Sequence, residues 1–358
     1  MKRLIILFCC LLIIGCKSVS VTNFNETKLN FLDEFVLPAN LTFEGDLVGG
    51  LSGIDYHNGK YFLVCDDASN PRYYEANIDI NKRKILSINV QKVVRIKPSE
   101  HYLDLESIRF DANTNQILLT SEGYINRKKN PMFFSVNSDG KIDNTFNIPS
   151  EFYASSKQKP RHNGTLEGLS NSVDGNGYWI AMELPLEADG PEPKITQTNS
   201  PVRITYIDAS SKKPEKQFAY NLDLISKPPK GSFAVNGLTE ILEYKEDIFL
   251  VIERSYSSGL GNQSNTIKIF KAAALNTNNT LAVNSLLNSN YRPATKELLF
   301  DFESVRNQLT DKTIDNIEGI SFGPILSNGN KSLLLIADNN FNKLGKQLNQ
   351  FILMEIID

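Results

Sequence analysis

Disulfide chemistry is the first thing this sequence lacks. Its four cysteines are Cys9, Cys10, Cys16 and Cys65, and the first three fall in the N-terminal leader. One remaining cysteine cannot form an internal disulfide, so stability must come from a packed core or from bound ions. Cys65 ends the apolar run Phe62-Leu63-Val64-Cys65, a setting for inert burial rather than reactivity. Histidine is scarce too: His57, His101 and His162 share no zinc-binding spacing. Only His162, just before Asn163-Gly164, lies near an acidic strand opening, where it is either a base or a loop histidine. No Gly-x-Ser-x-Gly elbow occurs, since Gly50-Leu51-Ser52-Gly53-Ile54 fails at its last position, and there is no phosphate-cradling or dinucleotide loop. Basic runs and aromatic-basic interleaving are absent, which excludes nucleic acid as an expected partner. Helical periodicity is confined to short stretches at residues 151–157 and 303–309.

One apolar run stands out. Lys2 and Arg3 precede residues 4–14, and Gly15-Cys16 follows directly. A charged start, an apolar stretch too short to span a bilayer and a small residue at the cut describe an export signal. The pattern Ile13-Ile14-Gly15-Cys16 resembles a bacterial lipobox, which implies lipid attachment at Cys16. The expected organisation is a signal at residues 1–15, a tether at 16–30 and one domain at 31–358, lipid-anchored at the cell envelope and otherwise free of membrane. Loss of Lys2 and Arg3 moves the formal charge from −3 to −5, mild for 358 residues.

What is abundant is one repeated hairpin. Leu166-Glu167-Gly168-Leu169, then a turn, then Tyr178-Trp179-Ile180-Ala181-Met182-Glu183, has four counterparts. They are Leu51-Ser52-Gly53-Ile54 with Phe62 to Asp67, Leu105-Glu106-Ser107-Ile108 with Ile117 to Glu122, Val235-Asn236-Gly237-Leu238 with Ile248 to Arg254, and Ile317-Glu318-Gly319-Ile320 with Ser332 to Asn339. Starts 54 to 82 residues apart define a repeat architecture. Further alternating segments follow each hairpin, rich in β-branched and aromatic residues and broken by Asn/Asp/Gly turns. Four strands per repeat is a propeller blade, so the fold class is an all-β propeller of five blades, or six if another lies between residues 256 and 305. The lone strand beginning at Phe31 and the C-terminal strand Phe351-Ile352-Leu353-Met354-Glu355-Ile356 would pair to close the ring. Asp111-x-Asn113-x-Asn115 with Glu122 mimics a calcium loop, but Gln116 replaces the needed Gly and a hairpin turn fits better.

Taken together, these segments resemble the phytase-like family, often described as having esterase-like activity of phytase. The pieces are Gly50 to Ile54, Asp66-Asp67 with Arg72-Tyr73, Asp104-Leu105-Glu106, Ser121-Glu122-Gly123 and Leu166 to Leu169. They continue with Glu183-Leu184-Pro185-Leu186, Leu250 to Arg254, Glu318-Gly319-Ile320 and Asp338-Asn339-Asn340-Phe341. Ser107 departs from the family's Gly, and Val235-Asn236-Gly237 is an unusual opening.

In a propeller the first strand of each blade lines the axis, so Glu106, Glu167 and Glu318 should converge. Asp66 or Asp67, Glu122, Glu183, Glu253 and Asp338 hold the second recurring place. Gathered carboxylates repel unless cations lie among them, and calcium suits such an oxygen-only set. Asp67, Glu106, Glu318 and Asp338 are the expected metal ligands, and Glu167, Glu183 and Glu253 the expected catalytic carboxylates. Arg72, Arg203 and Arg254, with Asn339, would grip an anionic substrate. With the calcium that the carboxylates suit, the expected function is a phosphoester hydrolase whose substrate, as the resemblance implies, is phytate-like or another small organic phosphate, and the protein is expected to be a monomer. The alternatives are a non-catalytic binding propeller, a carboxylesterase, or carboxylates that merely accept backbone N–H bonds from the next blade.

Overall fold

The computed structural model describes residues 27–97, 101–343 and 345–357. Strand β1 (Lys28–Leu37) is followed by a small hairpin, β2 (Thr42–Phe43) and β3 (Asp46–Leu47). Blade one comprises β4 (Leu51–His57), β5 (Lys60–Cys65), β6 (Arg72–Asn81) and β7 (Lys84–Arg95). Blade two holds β8 (Leu105–Asp111), β9 (Gln116–Ser121), β10 (Met132–Val136) and β11 (Ile142–Phe146). Blade three holds β12 (Leu166–Asn171), β13 (Gly177–Met182), β14 (Pro201–Asp208) and β15 (Pro214–Asn221). Blade four holds β16 (Ala234–Lys245), β17 (Ile248–Ser257), β18 (Asn265–Ala273) and β19 (Thr295–Asp301). Blade five is β20 (Asn316–Ile325), β21 (Lys331–Asp338) and β22 (Asn349–Ile357), with β1 as its outer strand.

The protein is therefore a β-propeller of five four-stranded antiparallel blades. Residues 256–305 supply only the outer half of blade four, so among the described residues there is no sixth blade. Closure is as the orphan strand implied: β1 runs antiparallel to β22 from Lys28↔Ile357 to Leu37↔Asn349. The two chain ends thus cover each other's edges, which would otherwise be open to pairing. Among the described residues helix is limited to single 3-10 turns, including Ser150–Phe152, Phe302–Ser304 and Arg306–Gln308. The calcium-loop mimic is a hairpin turn, with the Asp111 carboxylate accepting from Asn113 N at 2.9 Å and from the Tyr178 hydroxyl at 2.8 Å. The lipobox and Cys16 lie outside the described residues.

Middle strands β9, β13 and β21 read as near-continuous apolar runs because both of their faces are covered by neighbouring blades. Between blades three and four, the buried Trp179 indole packs edge-on against Tyr206, Phe218 and Phe249, with centroids 5.1–5.5 Å away. Offset edge-to-face contacts of this kind add to what burial alone provides. Cys65 is fully buried and donates to Gly49 O at 3.1 Å, while burial pushes its thiol well above the ordinary range.

Register aligns the five inner hairpins and corrects one sequence assignment. Leu51↔Cys65, Leu105↔Ser121, Leu166↔Met182, Leu238↔Glu253 and Ile317↔Ala337 are equivalent pairs. The fourth opening is thus Leu238-Thr239-Glu240-Ile241, three residues later than Val235-Asn236-Gly237-Leu238. Gly53, Ser107, Gly168, Glu240 and Gly319 occupy one place near the axis. A Cβ on Gly319 would lie 2.9 Å from Gly53 Cα, and one on Gly53 would lie 2.8 Å from Glu106 O. Glycine is needed there by crowding alone.

The two departures from glycine meet each other: Ser107 Oγ donates to Glu240 Oε2 at 3.0 Å. Glu240 also accepts from Leu169 N at 2.7 Å and pairs with the buried Arg109 guanidinium at 2.9 Å. Arg109 in turn donates to the carbonyls of Ile54, Ile108, Ile241 and Ile320 at 2.8–3.1 Å. Those carbonyls come from the same place in four blades, so a single guanidinium stoppers the axis and ties the ring together. Arg109→Met would strand a buried carboxylate and should lower stability by about 3–5 kcal/mol in denaturant unfolding. Adding Glu240→Leu should recover at least ~1 kcal/mol of that loss, as expected of coupled neighbours; strictly additive losses would contradict the plug.

Candidate active site

Above the Arg109 plug the inner strands open into a cavity of ≈ 1150 Å³, lined by Asp66, Glu106, Glu167, Glu183, Arg254, Glu318 and Asp338 among others. Two tiers of side chains build it. The residue one step past each equivalent pair on the second strand gives the upper tier: Asp66, Glu122, Glu183, Arg254 and Asp338. The lower tier follows the opening residue of each first strand, with Glu106, Glu167 and Glu318 in blades two, three and five. Ser52 and Thr239 take that place in blades one and four.

The hydroxyls and the carboxylates of the lower tier behave differently. Ser52 Oγ donates to Glu106 O at 2.8 Å and Thr239 Oγ1 to Ile317 O at 3.4 Å, each fastening its blade to the next. Glu106 and Glu167 make no such latch: among the described residues no donor reaches either carboxylate, although both side chains are buried. Their partners are other acids. Carboxylate oxygens of Asp66, Asp104 and Glu106 all lie within 4.8 Å of one another, and so do those of Glu106, Glu122 and Glu167. The two triads share Glu106.

Burial chiefly, then repulsion from Glu167 and Asp66, pushes the Glu106 carboxyl well above its ordinary range. Glu167 rises similarly through burial and the charges of Glu183 and Glu122. Asp66 is raised by burial and by Asp338 and Asp104. Burial raises Glu122 to about 8, even though it accepts from Thr165 N at 2.8 Å. Glu318 is pushed to about 8 and Glu183 to about 7 by burial, each opposed by Arg254. Burial lifts Asp338 to about 6.

Arg254 is the cation set among them, half-buried. It donates to Glu183 Oε1 at 3.0 Å and lies 3.5 Å from Glu318, and these carboxylates hold it charged against its burial. Its Nε and Glu183 Oε2 are buried without a partner among the described residues. Glu183 is positioned by close contact: a Cβ on Gly237 would come within 2.5 Å of its Oε1, so only glycine fits there. An all-oxygen donor set with unlatched, mutually repelling carboxylates fits a hard divalent cation, which takes several such ligands in flexible geometry.

Of the residues singled out from sequence, Glu106, Glu167, Glu183, Arg254, Glu318 and Asp338 are brought together in this cavity. Glu253 is not. It lies one residue before Arg254 on β17 and therefore on the opposite face, where it accepts from the Tyr220 hydroxyl at 2.6 Å and Asn236 Nδ2 at 2.8 Å and pairs with Lys296. Asp67 turns outward to Arg72 at 2.9 Å, leaving the ring place to Asp66. Arg72 and Arg203 are buried loop anchors. Arg72 binds the Leu47 and Asn70 carbonyls, and Arg203 grips Asp189 through Nε and Nη2 at 2.7 and 2.8 Å. Asn339 uses its Oδ1 to accept from Gly50 N at 3.0 Å and Phe341 N at 3.1 Å, joining blade five to blade one.

His162 lines the cavity, stacked on Tyr124 at 4.6 Å. Burial raises the carboxyl of Asp104, and the charge of His162 opposes that rise. Asp104 belongs to the segment Asp104-Leu105-Glu106 but holds neither of the two recurring acidic places. Its counterparts Gly50, Thr165 and Asn316 are uncharged, so no repeat signal singles it out.

A pH dependence follows. The folded state holds these carboxyls protonated above their unfolded values, so it binds more protons and stability is greatest at acid pH. In EDTA the Tm should fall by about 5 °C or more between about pH 5 and about pH 8, as pH rises through the folded values of Asp338, Glu183, Glu122 and Glu318. Excess calcium should flatten that fall in scanning calorimetry; a Tm that rises over this range in EDTA would contradict the assignment.

Structural comparison finds other β-propellers at low similarity. A glycoside hydrolase family 43 β-1,3-galactosidase with bound galactodeoxynojirimycin shares 10% identity and a TM-score of 0.43, over 88% of this chain and 92% of its own. The catalytic domain of a Coprinopsis cinerea family 62 α-L-arabinofuranosidase gives 12% and 0.40, over 85% and 91%. A protein from Thermus thermophilus described as a putative oxidoreductase (glucose dehydrogenase) gives 11% and 0.39, over 93% and 100%. At these values nothing about chemistry carries over. Sequence comparison with curated proteins finds no match. The family model described as "Phytase-like: Esterase-like activity of phytase" matches residues 46–341, and on that match the chain belongs to the phytase-like family.

Proposed function

We propose that the protein is an exported, lipid-anchored hydrolase of small organic phosphoesters that uses calcium bound in the acidic cavity. The observation that carries this reading is the pair of carboxylate triads sharing Glu106, set beside the half-buried Arg254. Asp66, Asp104, Glu106, Glu122 and Glu167 would hold calcium, with Glu318 and Asp338 completing the ring. Bound there, calcium would offset the substrate's negative charge and make a water more acidic.

The chain's own residues divide the remaining work. Arg254 donates to a phosphoryl oxygen while keeping one hydrogen bond to Glu183. Glu183, which lines the cavity, accepts a proton from the attacking water, and its value of about 7 suits a base at neutral pH. The water oxygen bonds to phosphorus, the bond from phosphorus to the alcohol oxygen breaks, and the alkoxide leaves with a proton. His162 stands at the rim where it can deliver that proton. The products are the free alcohol and inorganic phosphate, so atoms and charge balance. Lipidation at Cys16 would hold the domain at the cell envelope as a monomer.

The test is phosphate release from simple organic phosphates in matched calcium and EDTA buffers, using the soluble chain that starts after Cys16. Release should depend on calcium, fall at least about 100-fold in kcat with Glu183→Gln, and lose its calcium response with Glu106→Gln or Glu167→Gln. Glu253→Gln should instead lower Tm, because it weakens the Lys296 and Tyr220 contacts outside the cavity. Folded protein that releases no phosphate in either buffer would leave a ligand-binding propeller in place of an enzyme.

A further inference from the structure

The cavity is not symmetric, and its odd wall is in blade four. The second strands of blades one, two, three and five end at or within one residue of the acidic ring, at Cys65, Ser121, Met182 and Asp338. In blade four β17 runs on to Ser257, paired with β16 from Ala234. This hairpin therefore rises about 10 Å above the ring, at roughly 3.4 Å per residue. Val235↔Tyr256 and Gly237↔Arg254 are register pairs, so these four residues share one face, and Phe233 continues the alternation. All but Gly237 of that wall line the cavity.

The wall is apolar above and cationic at its base. Phe233 is 56% exposed, with its ring 6.1 Å from that of Tyr256. Its backbone is nevertheless fixed: Ser258 Oγ donates to Phe233 O at 2.7 Å, Ser258 N to the same carbonyl at 2.9 Å, and Phe233 N is 3.0 Å from Ser258 Oγ. A rigidly held aromatic ring left facing a polar cavity forgoes the stabilisation that burial would give it. A ligand surface that covers it restores that gain. Directly below, the Arg254 guanidinium lines the cavity and keeps part of its surface open to it, a cation placed to meet an anion. Elsewhere the lining is dominated by carboxylates, and Lys346, the other strong cation on it, is exposed and paired with Asp311 at 2.7 Å.

We infer that the substrate carries a single phosphoryl group for Arg254 and a flat apolar group for the Phe233–Tyr256 wall. A polyphosphorylated polyol such as phytate is excluded as the preferred substrate. A polyol carrying many phosphates has no apolar face to cover the two rings, whereas one phosphate and one ring match what the wall presents. The inference deepens the phosphoester reading and rests on it for the phosphate.

The experiment compares 2-phenylethyl phosphate, ethyl phosphate and phytate, the first two having leaving alcohols of similar basicity. Alongside, binding of the non-hydrolysable 2-phenylethylphosphonate and ethylphosphonate is measured in calcium buffer. The expected result is kcat/KM about tenfold or more higher for the phenylethyl ester than for the ethyl ester, expressed mainly in KM, with phytate the poorest. Phe233→Ser should bring the phenylethyl-to-ethyl ratio close to one, and Phe233→Trp should keep it. Phytate turned over as fast as the phenylethyl ester, or a ratio that Phe233→Ser does not change, would overturn the inference. If no ester is hydrolysed, the phosphoester reading fails and the phosphonates decide. Tighter phenylethylphosphonate binding that Phe233→Ser abolishes supports the wall as a ligand site, and equal affinities overturn it.

Discussion

Mutual repulsion among buried carboxylates is the constraint around which this molecule is arranged. Glu106 and Glu167 line the cavity beside Asp66, Asp104 and Glu122, and in that crowded setting they cannot all ionise. A scaffold that needed only stability would place a hydroxyl there, as it does at Ser52 and Thr239, both of which fasten one blade to the next. That acids stand in the other three blades sets an energetic problem, which Arg254 eases at Glu183 and Glu318 and which the proposed calcium would ease at Glu106 and Glu167. Part of the upper tier shows the plainer role as well. Glu122 does latch onto Thr165 N, so one carboxylate can serve blade joining while an oxygen of it lies within 4.8 Å of those of Glu106 and Glu167.

A site under such internal pressure needs a rigid frame. Three features supply it: β1 closing the ring on β22, the glycine contacts that let inner strands touch, and the Arg109–Glu240 plug on the axis. The plug also makes the cavity a blind bowl in which charges interact strongly, since little water separates them. Carbonyls from four blades converge on one guanidinium, so a shift of any blade would disturb the floor beneath Glu106 and Glu167.

Much of this was legible in the sequence because a propeller repeats its chemistry as well as its strands. The Leu-x-Gly-Ile openings, the carboxylates that follow them and the closing strand at Phe31 each identify their place by spacing. Errors arose where a blade breaks the repeat. In blade four the longer hairpin places Val235-Asn236-Gly237-Leu238 ahead of the true opening, so Glu253 was counted where Arg254 belongs. A one-residue shift on a strand exchanges faces, and a cavity carboxylate became a buried partner of Lys296. Arg72 and Arg203 looked like substrate clamps because isolated arginines near acids do. Only tertiary contacts show that carbonyls and Asp189 already saturate them. Arg109 is silent in the sequence, because its counterparts Asp55, Ser170 and Ser321 are of other types and its role depends on meeting at the axis.

Calorimetric titration of calcium into the soluble chain, with Glu106→Gln as the comparison, tests the central claim most directly. The account predicts saturable binding to at least one site in the wild-type protein, lost or weakened at least about 100-fold in Glu106→Gln, because that residue belongs to both triads. A folded wild-type protein that takes up no calcium, or a Glu106→Gln variant that binds it equally well, would contradict the claim that crowded carboxylates are held together by a cation.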